Sequence, residues 1–292
     1  MHYKEVKAIL SPQNGMNIYR GQDFPSLYSD ARSKCYRIKH EFEDVEVKER
    51  ADDLLEHALK RKRTRSMIQT GQMTDPYLPL EEELQLMRRC LNQIDRFEFG
   101  VCIKTKSELL LRDIEILDRI NKKTKCVVLV PFATCDDKLS EVIDPGAANT
   151  SARVHMLKEL AGHHIPTIVC LEPIMPFIND SEDNIRGLME LADEGKAYGV
   201  LCEMMGILLR EGSREYFYEQ LDEKFPGLTD RYTEAYGDET EVLSEGCEAL
   251  MRLYRELADH YGMIWDKEEL KRYMREYKNK TAGEQLSFDF GI

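Results

Sequence analysis

Between residues 14 and 206 the chain repeats one pattern six times: a short continuous apolar run, then a longer stretch with apolar residues at helical spacing. The strand-like runs are "MNIYRG", "SMIQTG", "EFGVCIKT", "KCVVLVPF", "PTIVCLEPI" and "AYGVLCEM". Between them, "VEVKERADDLLEHALKRKR" places Val45, Ala51, Leu54, Leu55, Ala58 and Leu59 on one helical face. In "PLEEELQLMRRCLNQI", Pro79 and the acidic residues after it mark a helix start. "SELLLRDIEILDRI" follows the third run, and "TSARVHMLKELAGH" the fourth, with Thr150 or Ser151 as cap and Gly162 as stop. "SEDNIRGLMELADEG" follows the fifth. Strands that are apolar throughout are buried on both faces, and strand–helix alternation joins them in parallel through right-handed crossovers.

A complete eightfold barrel needs two more units, and the pattern stops at Gly206. "SREYFYEQLDEKF", "EALMRLYRELADHYG" and "KEELKRYMREYKNK" read as helices with no strand-like run between them. The predicted architecture is α/β: an incomplete (βα)6 TIM-type barrel over residues 1–206, a helical C-terminal region over 207–280, and a mobile tail over 281–292.

Composition narrows the function. Acidic residues outnumber basic ones 54 to 41, a net charge of -13, which excludes a protein that coats nucleic acid by bulk electrostatics. A local nucleic-acid contact stays open through "LKRKRTR" at residues 59–65, though cations at a helix C-terminus also serve its exposed carbonyls. No apolar run approaches the roughly 20 residues of a membrane span, and "MHYKEVKAIL" lacks a secretory pattern, so a soluble, cytoplasmic protein is expected. None of the eight cysteines forms a short ligand spacing, and Cys102, Cys126, Cys170 and Cys202 sit in strand-like runs as small hydrophobes.

In parallel α/β sheets chemistry gathers where the strands end. The loops there are "RGQDFPSLYSDARSKCY", "GQMTDPYLPLE", "TKS", "ATCDD", "EPIMPFIND" and "EMMG". Together, "NIYRG", Tyr28, "DARSKCY", "TDPYLPLE", "IKTKS", "LLLRD" and "PIMPFIND" resemble radical S-adenosylmethionine proteins of the spore photoproduct lyase-like, or DNA repair photolyase-like, group over residues 8–206. In that family the first loop reads CxxxCxxC, with an aromatic before the third cysteine. Those positions are Gln22, Ser26 and Ser29 here, and Tyr28 keeps the aromatic.

The resemblance implies a 4Fe-4S cluster on three thiolates, whose fourth iron chelates S-adenosylmethionine and splits it to a 5'-deoxyadenosyl radical. It also implies Thr74, Asp75 and Tyr77 near the cofactor's amino end, and Thr105 and Lys106 toward cofactor or substrate. A polar turn at Thr74–Tyr77 and a solvated Lys106 are the plainer readings. A serine hydroxyl does not ionise near neutrality and a glutamine amide is neutral and hard, so neither replaces thiolate at iron. Cys35, a single thiol six residues past Ser29, cannot replace three. The loop is thus expected not to assemble its cluster, whether through natural loss or engineering; Pro25 is equally at home in an ordinary turn.

Two further features bear on function. Asp75, Glu172 and Glu203, all at strand ends, could gather around a divalent ion for hydrolysis, although no HxH accompanies them; His163 and His164 precede the fifth strand, at the opposite end. In "EQLSFDF", Gln285, Leu286, Phe288 and Phe290 resemble the short peptide by which bacterial DNA-processing proteins dock in a sliding clamp; the same alternation would suit an edge strand. Two readings result: an enzyme scaffold that is inactive as written, or a non-catalytic adaptor reaching DNA-bound partners through its tail.

Overall fold

The computed structural model describes residues 1–281. Its first four strands are short: β1 (His2–Lys4), β2 (Gly15–Met16), β3 (Tyr19–Arg20) and β4 (Glu46–Lys48). Helix α1 (Ala51–Arg61) leads to β5 (Met67–Thr70), and α2 (Glu81–Leu84) with α3 (Leu86–Arg96) to β6 (Gly100–Lys104). A 3-10 segment, Glu108–Asp113, opens α4 (Ile114–Lys123) before β7 (Cys126–Phe132). Next come α5 (Asp137–Ile143), α6 (Thr150–Gly162), β8 (Thr167–Leu171), α7 (Glu182–Glu194) and β9 (Gly199–Leu201).

Six of these strands form one parallel sheet in the order β2-β5-β6-β7-β8-β9, the incomplete barrel expected from the sequence. The alternation within each strand explains the continuous apolar runs. Val101, Ile103, Val128, Val130, Val169 and Leu171 face outward into the core built with the helices. Their neighbours Cys102, Val127, Leu129, Ile168 and Cys170 face inward. Burying both faces removes nearly every strand side chain from water, at roughly 1.5–3 kcal/mol for each large apolar one.

The barrel is closed by the C-terminal segment: β10 (Gly206–Leu208), α8 (Ser213–Lys224), α9 (Leu228–Tyr236), β11 (Glu241–Leu243), α10 (Cys247–Tyr261) and α11 (Lys267–Arg275). Leu270 of α11 inserts among the inward-facing strand residues, and Tyr273 and Met274 pack beside it. At the open edge Ile264 forms a parallel bridge to Gly199. On α10, Tyr254 Oη donates to the Val200 carbonyl at 2.5 Å. Among the described residues, no helix is long and apolar enough to cross a membrane.

Several sequence expectations are corrected. Val45 does not belong to α1: residues 46–48 are β4, which pairs parallel with β1 and antiparallel with β3 in a separate three-stranded sheet. The first barrel strand is thereby reduced to Gly15–Met16, and Tyr19 and Arg20 leave the barrel for that side sheet. The helix after Pro79 breaks at Gln85, whose φ is 50°, because the buried Glu81 carboxylate caps the next helix, accepting from Leu86 N at 2.9 Å and Met87 N at 3.0 Å. Asn149, rather than Thr150 or Ser151, caps α6, accepting from Ala152 N at 3.1 Å, while Gly162 is its last residue as expected. The C-terminal segment is not purely helical, since β10 and β11 pair antiparallel. Gly206 lets them approach: a Cβ there would lie 2.3 Å from the Val242 carbonyl oxygen.

Candidate functional site

The loops after the barrel strands enclose a cavity of about 300 Å³, walled by Tyr28, Met204, Ile207 and Leu208 and edged by Gln72, Thr74, Lys104 and Glu172. Its floor depends on Gly71. With φ at 88°, this residue turns the chain out of β5 so closely over β6 that a Cβ would lie 1.9 Å from the Lys104 carbonyl oxygen.

The first loop enters the cavity tied down by hydrogen bonds. Gln22 Nε2 donates to the Phe24 carbonyl and to Ser26 Oγ, both at 2.8 Å. Ser26, buried, donates its hydroxyl hydrogen bond to Asp144 Oδ1 at 2.8 Å. The same oxygen receives Lys106 Nζ at 2.7 Å, and Asp144 Oδ2 receives Arg153 Nη2 at 3.2 Å. Burial alone would raise the Asp144 carboxyl; Lys106 and Arg153 outweigh it and hold the group down at about 2. Asp144 arrives at the C-terminal end of α5, a helix that the short reading of "ATCDD" as a loop missed. Ser29 lines the cavity nearby, and Asp30 is held by Arg210 Nη1 at 2.6 Å and Tyr36 Oη at 2.7 Å. Asp30's hydrogen bond, more than burial, pushes the Tyr36 phenol up to about 12.

The other predicted positions separate into wall and frame. Tyr28 Oη donates to the Leu208 carbonyl at 3.1 Å and accepts from Leu208 N at 3.2 Å, pinning the first loop to β10. Asp75 accepts from Thr105 Oγ1 at 2.7 Å, Lys106 N at 2.8 Å and Tyr77 N at 2.9 Å. Burial pushes its carboxyl up although these three donors oppose it. Thr74, Asp75, Thr105 and Lys106 do converge on the cavity. Tyr77 does not: it is buried, and its hydroxyl donates to Asp113 Oδ2 at 3.2 Å. Asp113 also binds Arg88 Nη1 at 3.0 Å and Arg112 Nη2 at 2.8 Å, and Arg112 reaches Glu81 Oε1 at 2.9 Å. Tyr19 Oη donates to the same Glu81. "TDPYLPLE" and "LRD" thus meet in one buried polar frame under the mouth, which sequence reading noticed as motifs without seeing their contact.

The three carboxylates offered as a hydrolytic metal site all line the cavity but do not close around a common point. Glu172 is paired with Lys104, Glu203 with Lys267, and Asp75 is consumed by its three donors. Among the described residues their oxygens form no group close enough to share an ion. Burial disfavours the Lys104 ammonium, but the Glu172 carboxylate beside it prevails and holds its pKa above the ordinary value. His163 and His164 follow α6 at the far end of the sheet, and the basic residues 59–65 lie before β5, also away from the mouth. Gln285, Leu286, Phe288 and Phe290 fall outside the described residues.

The iron-sulfur cluster implied by the resemblance does not fit the residues present. The first loop offers an amide and two hydroxyls, and Gln22 and Ser26 are already spent on one another and on Asp144. Cys35 is exposed beyond it. A carboxamide and two hydroxyls do not stand in for the three cysteine thiolates that hold such a cluster.

No protein-family model matches the chain. An uncharacterized protein of Mycobacterium tuberculosis is 27% identical over 263 residues, spanning 84% of this chain and 75% of the relative. One of Methanocaldococcus jannaschii is 28% identical over 169 residues, spanning 57% of this chain and 62% of that one. Among solved structures, spore photoproduct lyase complexed with dinucleoside spore photoproduct superposes with a TM-score of 0.63 at 14% identity, covering 87% of this chain and 73% of that one. A mutant of that lyase with bound AdoMet and dinucleoside spore photoproduct gives a TM-score of 0.61 at 12% identity, covering 85% and 73%. The chain therefore shares the partial-barrel α/β fold of spore photoproduct lyase.

Proposed function

We propose that this chain keeps the mouth of a radical S-adenosylmethionine-type barrel as a binding pocket and has lost the radical chemistry. Gln22, Ser26 and Ser29 stand where the cluster thiolates of the resembling family would stand, and the chain is catalytically inactive as written. One observation carries this reading: the Gln22–Ser26–Asp144 hydrogen-bond chain closes the first loop on itself without a metal. Thiolate is what gives such a loop its hold on iron, and nothing in that chain supplies it.

The ligand class proposed for the pocket is nucleosidic. Support comes from the lyase of the same fold, whose solved form holds AdoMet and a dinucleoside, and from a cavity of about 300 Å³ with an aromatic and aliphatic wall and polar edges. Without a chelating iron, S-adenosylmethionine would lose its strongest anchor, so a dinucleoside is the better occupant. The test has two arms. Anaerobic reconstitution with iron and sulfide should leave the protein colourless, and a brown protein with several irons per chain would overturn the inactive reading. Calorimetric titration with a thymidine dinucleotide should saturate, and absence of saturation up to millimolar ligand would overturn the binding reading.

A second reading rests on Gln285, Leu286, Phe288 and Phe290. These four residues resemble a sliding-clamp peptide, and we propose an adaptor role through them. Deleting residues 285–292 should abolish recovery of the clamp in a pull-down; unchanged recovery would sink it.

A further inference from the structure

Beside the first loop, the side sheet brings together a donor set that does not line the binding pocket. In-register pairing of β1 with β4 sets His2 opposite Glu46, and the loop before β4 returns His40 to the same place. The two imidazole rings meet edge to face with centroids 4.8 Å apart. One nitrogen of each ring and one Glu46 oxygen all lie within 4.8 Å of one another.

The state of each nitrogen is fixed by its surroundings. His40 Nδ1 lies 2.9 Å from the Glu41 carbonyl oxygen, an acceptor only, so this nitrogen carries a proton, and in the neutral ring Nε2 keeps the lone pair. That Nε2 is buried and has no hydrogen-bond partner among the described residues; Glu46 Oε2, at 3.8 Å, lies beyond bonding range. His2 Nδ1 lies 2.8 Å from Asp44 Oδ2, which favours the proton there and, in the neutral ring, leaves the lone pair on Nε2. An imidazole whose second nitrogen is tied to a carboxylate or carbonyl is the usual form of a metal-binding histidine. Glu46 is 3% exposed, and a buried carboxylate needs a cation. Lys4 Nζ now serves as that cation, at 2.6 Å from Oε2, on a side chain that is half exposed and free to swing away.

We propose that His2, His40 and Glu46 bind a divalent cation of the Zn2+ class, fastening β1 and the His40 loop to β4. Two nitrogens and one carboxylate oxygen suit zinc, with water as fourth ligand. Donors of a tetrahedral zinc lie about 3.3 Å apart, so the present arrangement contracts by an ångström or so, a motion the surface-lying His2 can make. Binding displaces the Lys4 ammonium or uses the second Glu46 oxygen.

The experiment uses the full chain, stripped of metal and with exposed thiols alkylated. Zn2+ should bind saturably near one equivalent, and Co2+ should give visible d–d bands without a thiolate charge-transfer band. His2→Ala and His40→Ala should each weaken binding at least tenfold, and Asp44→Asn by roughly 10–100-fold. Lys4→Met should tighten it, which no merely structural role for these residues would produce. His2→Ala lies on a terminal strand, so its reading does not depend on the fold surviving a core change. No saturable binding, a thiolate band, or affinity unchanged in both histidine variants would overturn the proposal.

Discussion

Ser26 and Lys106 share one oxygen of Asp144: the hydroxyl reaches Oδ1 at 2.8 Å and the ammonium at 2.7 Å. A loop position that the resemblance assigns to an iron ligand is therefore bound into an ion-pair triad of Lys106, Asp144 and Arg153. Removing the carboxylate strands two cations, one of them, Arg153, only 1% exposed. Asp144→Asn should destabilise the fold by about 3–5 kcal/mol, the usual cost of breaking a buried pair from one side. Equilibrium urea unfolding measures this, and a loss below about 1 kcal/mol would show that the triad does not hold the loop.

The same group sets an acid limit. Its folded pKa, about 2, lies below the ordinary 3.8, so its stabilising contribution is fully present above pH 4 and is lost as pH falls through 2. A shift of that size corresponds to roughly 2–3 kcal/mol. Wild-type stability should fall through this window more steeply than that of Asp144→Asn, measured by unfolding at fixed pH steps. Parallel curves would assign acid lability to other carboxylates.

The barrel was legible because both faces of its strands are buried, and the strands within "KCVVLVPF" and "PTIVCLEPI" hold no charged residue to mislead. The side sheet was not. Its strands are three residues or fewer, so although "VEVK" alternates apolar and polar residues, the run is too short to stand out from the helical spacing that follows it, and Glu46 on its polar side is buried against Lys4. Gln85 gives no hint of a break, being a good helix former; the cause is the tertiary cap from Glu81. At the mouth, the resemblance pointed to Thr74, Asp75, Thr105 and Lys106, which line the cavity, but could not place Asp144, which follows α5 and meets Ser26 only in space, or Arg153 of α6, which pairs with Asp144.

Restoring thiols should separate two effects. Ser26→Cys alone replaces a hydroxyl donor by a weak one and leaves Asp144 short of a hydrogen bond, a cost of about 1 kcal/mol. Gln22→Cys, Ser26→Cys and Ser29→Cys together supply three thiolates, and the triple variant should take up iron and sulfide anaerobically with a cluster absorption band. Failure of a folded triple variant to do so would mean that the loop has lost the geometry as well as the ligands.

Gly71 is the backbone position on which the mouth most depends. Alanine there meets both an unfavourable φ of 88° and a Cβ 1.9 Å from the Lys104 carbonyl oxygen. Gly71→Ala should cost about 3–5 kcal/mol and displace Lys104 from Glu172. Thermal unfolding tests the first, and loss of dinucleotide binding in a variant still folded at low temperature tests the second.

Glu81 joins four elements through one buried carboxylate: it caps α3 at Leu86 and Met87, pairs with Arg112 before α4, and accepts from Tyr19 on β3. Glu81→Gln keeps the shape but removes the charge and turns one acceptor into a donor facing other donors. Arg112 still has Asp113 at 2.8 Å, so the loss falls mainly on the α3 cap and the Tyr19 bond. A destabilisation of about 2–4 kcal/mol is expected from these unsatisfied donors. In a double-mutant cycle, Tyr19→Phe should cost wild type more than it costs Glu81→Gln. Additive losses would mean that Tyr19 and Glu81 act independently and that the frame under the mouth is not one cooperative unit.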